Sequence, residues 1–164
     1  MTNLTDKFPQ ALKQSSLPGA LVYVLSQEWI AYKGSMPAEL KPYVVTSIDD
    51  EKIVICQISS DAIFETLENV LPVYTTANHA LTAVATGLIF VRFDDKVSAA
   101  SRLNAFQQAG YCIERVPEYA TNSAWLRDAD AQISRALTNV YKLSEISDVV
   151  HIEPQLLMAR SNRD

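Results

Sequence analysis

The chain has 164 residues, of which 48% are hydrophobic and 20% charged, and a formal net charge of −5. That is enough apolar material for one ordinary domain or two small ones with a real core, and it excludes a largely disordered chain. The acidic balance, with no basic stripe between aromatics, excludes non-specific nucleic-acid binding, which needs surplus Lys and Arg against phosphate.

Residues 1–19 are polar, and Pro9 and Pro18 interrupt any helix, so an arm with at most one helical turn is expected. The opening MTNLTDKF lacks the apolar core of a secretory signal, and no apolar run is long enough to span a bilayer. A cytoplasmic chain with no membrane partner is the expectation. ALVYVLS (20–26) and WIAYK (29–33) read as strands, rich in β-branched and aromatic residues. GSMPAELKP (34–42) is a loop punctuated by Gly34, Pro37 and Pro42.

YVVTSI (43–48) and IVICQI (53–58) are joined by the acidic turn at Asp49, Asp50, Glu51 and Lys52, and so read as a hairpin. SSDAIFETLENVLP (59–72) carries Ile63, Phe64, Leu67, Val70 and Leu71 at the helical period, with a serine cap and Pro72 as its stop. A smaller, mainly β subdomain with one helix is therefore expected over residues 1–80. VYTTANHALTAVATG (73–87) is ambiguous between a linker and an added strand, and the domain boundary is placed in it.

Residues 81–164 form the second expected domain. LIFVRF (88–93) is a strand. DDKVSAASRLNAFQQAG (94–110) is a helix capped by Asp94 or Asp95, with Ala99, Leu103 and Phe106 on one face and Gly110 beyond its end. YCIERV (111–116) and SAWLRD (123–128) are strands. ADAQISRALTNVYKL (129–143) is a helix with Ile133, Ala136, Leu137 and Val140 facing the core, and VVHI (149–152) is the last strand. The order β-α-β-β-α-β is the ferredoxin-like plan, an α+β fold with an antiparallel sheet and right-handed crossovers.

Residues that carry chemistry are scarce. His79 and His151 are the only histidines, and neither has a recognisable positioned partner. Four glycines, none near another, exclude a Gly-rich phosphate loop. Cys56 and Cys112 sit in apolar runs without metal or disulfide spacing and are expected as buried thiols. No metal, cofactor or catalytic residue is expected, and the chain reads as a binding protein rather than an enzyme. A small enzyme built from His79 and the acidic turn at 49–51 is the weakest of three readings.

The segment from GLIFVRFDD to HIEPQLLMAR is similar to the propeptide domains of subtilisin-like serine proteases, the inhibitor-type pro-region. The likeness covers about half of the chain, residues 87–164. It is carried by the opening strand LIFVRF with its acidic turn and helix, by the order of elements, and by the closing VVHIEPQ, which looks like the Val-x-x-Ile/Val-Glu-Pro ending of many pro-regions. None of the protease's own motifs is present. The resemblance implies an inhibitor or folding chaperone of a subtilisin-like protease, acting in cis or in trans. Its sheet would pack on two protease helices, and its C-terminal tail would lie in the active-site cleft like a cleaved product. Glu153 would cap those helices' N-termini, as a carboxylate suits. Gln155, uncharged, holds the second such position. Pro154 would enforce an extended exit, and Leu156, Leu157, Met158, Ala159 and Arg160 would supply the cleft-binding peptide. The alternative is a non-catalytic ferredoxin-like regulatory or oligomerisation module, a homodimer, binding a small molecule or a protein.

Overall fold

The computed structural model describes residues 7–35, 37–48, 52–58, 69–78 and 81–158. The described residues form a mostly antiparallel β-structure with few helices, an α+β arrangement. They divide into two compact units. The first comprises Met1–Leu12, Tyr23–Thr86 and Leu156–Asp164, and the second Lys13–Val22 and Gly87–Gln155. The boundary thus falls between Thr86 and Gly87, inside a strand, and the arm and the C-terminal end are shared out between the units.

Unit 1 is built on β1 (Ala11–Lys13), β2 (Val22–Lys33), β3 (Val44–Ile48), β4 (Ile53–Gln57) and β5 (Val70–Thr76). The arm contributes a short strand, β1, which pairs with β2, where the sequence promised at most a helical turn. The two strands expected at 20–26 and 29–33 are one strand, β2, irregular between Leu25 and Ile30. The Ser26 hydroxyl accepts from the N–H groups of Glu28 and Trp29 at 3.1 and 3.0 Å, so a side chain takes over ladder bonds where the strand bends. The loop before β3 contains a 3-10 segment, Ala38–Tyr43, that buries Leu40. Leu40 packs with Ile30, Cys56 and Val70 in one apolar cluster, edged by Tyr32, Val44 and Val54.

The helix expected over 59–72 needs correction at its end. Residues 59–68 lie outside the described residues, but Val70, Leu71 and Pro72 open β5, all of whose residues are buried. Val70, Leu71 and Pro72 pair with Tyr32, Ala31 and Ile30 of β2. Cross-strand burial outweighs the helical spacing of Val70 and Leu71, since propensity and period are weak against tertiary packing. The ambiguous stretch 73–87 becomes the hairpin from β5 into β6 (Thr82–Phe93), with Val73, Tyr74 and Thr75 opposite Val84, Ala83 and Thr82.

Unit 2 contains the second half of β6, α1 (Leu103–Gln108), β7 (Tyr111–Arg115), β8 (Ser123–Asp128), α2 (Ile133–Thr138), α3 (Val140–Leu143) and most of β9 (Val149–Met158). β7 pairs with β8, β8 with β6, and β6 with β9. The first helix is shorter than expected. A 3-10 turn at Ala99–Arg102 precedes α1, and Ser98, not Asp94 or Asp95, caps it by accepting from Ser101 N–H. Gly110 follows the helix at φ +92°, as its place beyond the end requires.

The core of unit 2 lies on the helical side of its strands. Ile89, Val91 and Phe93 of β6 and Ala124 and Leu126 of β8 are fully buried there. The Phe93 ring lies 5.8 Å from that of Phe106 on α1, and the Tyr111 hydroxyl donates to the Ala136 carbonyl of α2. Asp128, at the end of β8, organises the start of α2. Its carboxylate accepts from Asp130 and Gln132 N–H at 2.9 and 3.1 Å and pairs with Arg135 at 3.3 Å.

Candidate functional site: the helix-free sheet face of unit 2

Side chains alternate across a strand, so the residues between the buried ones of β6 and β8 point away from the helices. On β6 these are Phe90 and Arg92, and on β8 Trp125 and Arg127; Phe90, Trp125 and Arg127 are half-buried and Arg92 is exposed. Phe90 and Trp125 are direct cross-strand partners, with ring centroids 5.2 Å apart in a tilted pair. His151 of β9 adds a third ring, 6.3 Å from Phe90 and edge-on to it. Arg127 bonds Glu114 of β7 at 2.9 Å, and both are close to half-exposed. The result is a small aromatic platform rimmed by paired charges, the composition of a protein-binding patch with an apolar centre and a polar edge.

His151 and Glu153 are neighbours on this side of β9, joined at 3.0 Å between Nε2 and a carboxylate oxygen. The other ring nitrogen, Nδ1, is buried with no hydrogen-bond partner among the described residues. Glu153 is exposed, as its expected helix-capping role needs.

The other residues expected at the site behave differently from a free tail. The strand expected to end at Ile152 continues to Met158, so Glu153, Pro154, Gln155, Leu156, Leu157 and Met158 belong to β9. Pro154 is buried, Gln155, Leu156 and Leu157 are half-buried, and Met158 is 41% exposed. A proline is compatible with this because an edge position does not require its missing N–H. At Ile152 the strand's backbone is bonded by the arm. Ser16 N–H donates to the Ile152 carbonyl at 2.8 Å, and the Ser16 hydroxyl accepts from Ile152 N–H at 2.9 Å. Ala159 and Arg160 lie outside the described residues, as do His79 and the acidic turn at 49–51.

SAWLRD is a strand as expected, and Trp125 lies on its helix-free side. The signal was present in the alternation of SAWLRD, with Ala124, Leu126 and Asp128 on one side and Trp125 and Arg127 on the other.

Among the described residues, no group of three or more His, Cys, Asp or Glu side chains could hold a metal ion. The two cysteines are unpaired. Cys56 is buried, and burial pushes its thiol pKa up. Among the described residues no helix is long and apolar enough to cross a membrane. Protein-family models, curated proteins and solved structures yield no match to this chain.

Proposed function

We propose that the chain is a subtilisin-propeptide-like protein that inhibits, or assists the folding of, a subtilisin-like serine protease. In this reading unit 2 has the ferredoxin-like plan and docks through its helix-free face. The observation that carries the reading is the half-buried Phe90–Trp125 pair beside Glu153, on a face that the unit's own helices leave uncovered. The pairing of β7 with β8, β8 with β6 and β6 with β9, with helical segments after β6 and after β8, supports the ferredoxin-like part.

Roles divide along β9. Glu153 supplies the anion for the protease's helix N-termini. Pro154, Gln155, Leu156 and Leu157 hold the strand in place, and Met158, Ala159 and Arg160 begin the peptide that enters the cleft. Such a peptide adds to the strands lining the cleft through main-chain hydrogen bonds.

The test is titration of the full chain into several subtilisin-like proteases while peptide hydrolysis is followed. Inhibition is expected, weakened at least tenfold by Trp125→Glu, because aromatic anchors at the centre of an interface carry about 2 kcal/mol or more. Removal of residues 158–164 is expected to abolish competition with substrate. Absence of both inhibition and complex formation, combined with a stable dimer in light scattering, would favour the oligomerisation module, for which the same apolar face is suited.

A further inference from the structure

Unit 1 was left without a role by the sequence, and its strand pairings supply one. β3 pairs with β4, β4 with β2, and β2 with β5. In unit 2, β7 pairs with β8, β8 with β6, and β6 with β9. Numbering the four strands of each set in chain order, both read fourth–first–third–second. In both, a helical segment that buries an apolar side chain joins the first strand to the second: Leu40 in one, Phe106 in the other.

The correspondence extends to individual rungs. In unit 2 the rung Ile113–Leu126–Ile89 is followed by Arg115–Trp125–Phe90, with Glu114 skipped by an irregularity in β7. In unit 1 the rung Val44–Cys56–Ile30 is followed by Thr46–Ile55–Ala31, with Val45 skipped in β3. The irregularity therefore sits in the same strand and between the same two rungs. A bulge re-aims every side chain beyond it, so a shared position is a strong constraint on the pairing. On the first of these rungs Ile30 and Cys56 pack with Leu40, just as Ile89 and Leu126 lie on the helical side.

We infer that the chain is a tandem of two copies of one plan, and that recognition is confined to the second copy because the first has its equivalent face closed. The positions that match Phe90 and Trp125 are Ala31 and Ile55. Phe90 and Trp125 are half-buried, whereas Ala31 is 0% and Ile55 1% exposed. On the same side of unit 1, Ile53, Leu71 and Val73 are also buried. Residue choice follows this difference. At the matched positions the closed face carries aliphatic side chains, Ala31, Ile55, Ile53, Leu71 and Val73, with Trp29, Lys33 and Gln57 only at its ends, whereas the open one carries two large aromatics at its centre, a histidine and flanking charges, which tolerate water until a partner arrives. The first copy is a scaffold, and among its described residues the matched positions offer no second docking surface of this kind. The part of the inference that concerns a protease rests on the function proposed above; the repeat and the closed face do not.

Thiol labelling of the full chain tests both parts. In a background of Cys56→Ala and Cys112→Ser, single Phe90→Cys and Ala31→Cys variants are reacted with a maleimide. Labelling of the Ala31→Cys thiol is expected to be at least 100-fold slower, rising to the rate of Phe90→Cys in denaturant. Equal rates in the folded protein would overturn the closed-face assignment. Bacterial subtilisin with its nucleophilic serine replaced by alanine is then added. It is expected to slow Phe90→Cys labelling at least tenfold and to leave Ala31→Cys unchanged. Inhibition of active subtilisin without protection at Phe90→Cys would remove recognition from the second copy's face while sparing the proposed function. Neither inhibition nor protection would sink the proposed function and leave the repeat standing. The register is tested separately against the native Cys56. Val44→Cys is expected to form a disulfide with it on oxidation and Val45→Cys is not, and the opposite result would break the rung-by-rung match.

Discussion

Replacing Gly87 with alanine separates two physical costs that the structure keeps apart elsewhere. Gly87 lies inside β6 at φ +90°, in the left-handed half of conformational space, and a Cβ placed there would lie 3.1 Å from Ile133 Cγ1 and 3.3 Å from Ile133 Cα. Ile133 is the first residue of α2, so relief requires moving the start of that helix off the strand. Gly110 has nearly the same φ, +92°, with nothing within 4 Å of an added Cβ. Gly110→Ala therefore reports the backbone cost alone, about 1–2 kcal/mol. Gly87→Ala adds an overpacking cost of about 1–3 kcal/mol. Its total of roughly 2–5 kcal/mol corresponds to a Tm loss of about 5–15 °C for a chain of this size. The assay is thermal and urea unfolding followed by circular dichroism, with the two alanine variants side by side. If Gly87→Ala costs no more than Gly110→Ala, the close approach of α2 to β6 is wrong. Ile133→Ala in the Gly87→Ala background should recover part of the excess, because it removes the side-chain carbons but not the Cα.

Asp128→Ala should destabilise the chain by about 1–3 kcal/mol, since two N–H groups at the start of α2 lose a buried acceptor and Arg135 loses a partner. The same change should bring the Tyr111 pKa down toward its ordinary value, because the Asp128 charge is the second cause, after burial, of its upward shift. Absorbance titration of tyrosinate in the folded range would show this. Alkaline stability follows from Tyr74 and Tyr111, both pushed well up by burial. A raised folded pKa means that the unfolded chain loses its phenolic protons first. Stability is therefore intact below pH about 10 and falls above it, at up to about 1.4 kcal/mol per pH unit for each tyrosine. Urea midpoints at pH 8 and pH 11 measure the slope, which Tyr111→Phe should make shallower; an unchanged slope would contradict the burial of that hydroxyl.

What was legible in the sequence was local. YCIER and SAWLRD declare themselves as strands because β-branched and aromatic residues alternate over a length that a strand needs, and Gly110 marks a helix end because few other residues tolerate its φ. The phenylalanine at 106 follows the helical period and does face the core. The platform of the candidate site was half legible. The alternation puts Trp125 and Phe90 opposite the buried residues of their strands, but only the pairing of β6 with β8 shows that the two rings meet.

The errors share one cause. Val70, Leu71 and Pro72 carry a helical spacing and a helix stop, yet they are strand, because β2 lies alongside and buries them. Pro154 looks like the exit from a last strand, yet β9 runs four residues past it. LIFVRF looks like a strand that starts at Leu88, yet β6 begins at Thr82 and passes through Gly87, where glycine at positive φ lets α2 approach closely. In each case the outcome depends on a partner far away in the chain.

The sequence by itself determined where the backbone can extend, where it must turn, and which face of each element is apolar, because those follow from side-chain shape and from Gly and Pro geometry within a few residues. Only the tertiary structure decided which strands pair, in which register, and with which face left open. The repeat makes the point: Ile30 and Ile89 occupy the same rung, while Ala31 and Phe90, and Ile55 and Trp125, share nothing but position. Strand pairing is made by backbone hydrogen bonds common to all residues, so two halves can keep one plan after their side chains no longer resemble each other.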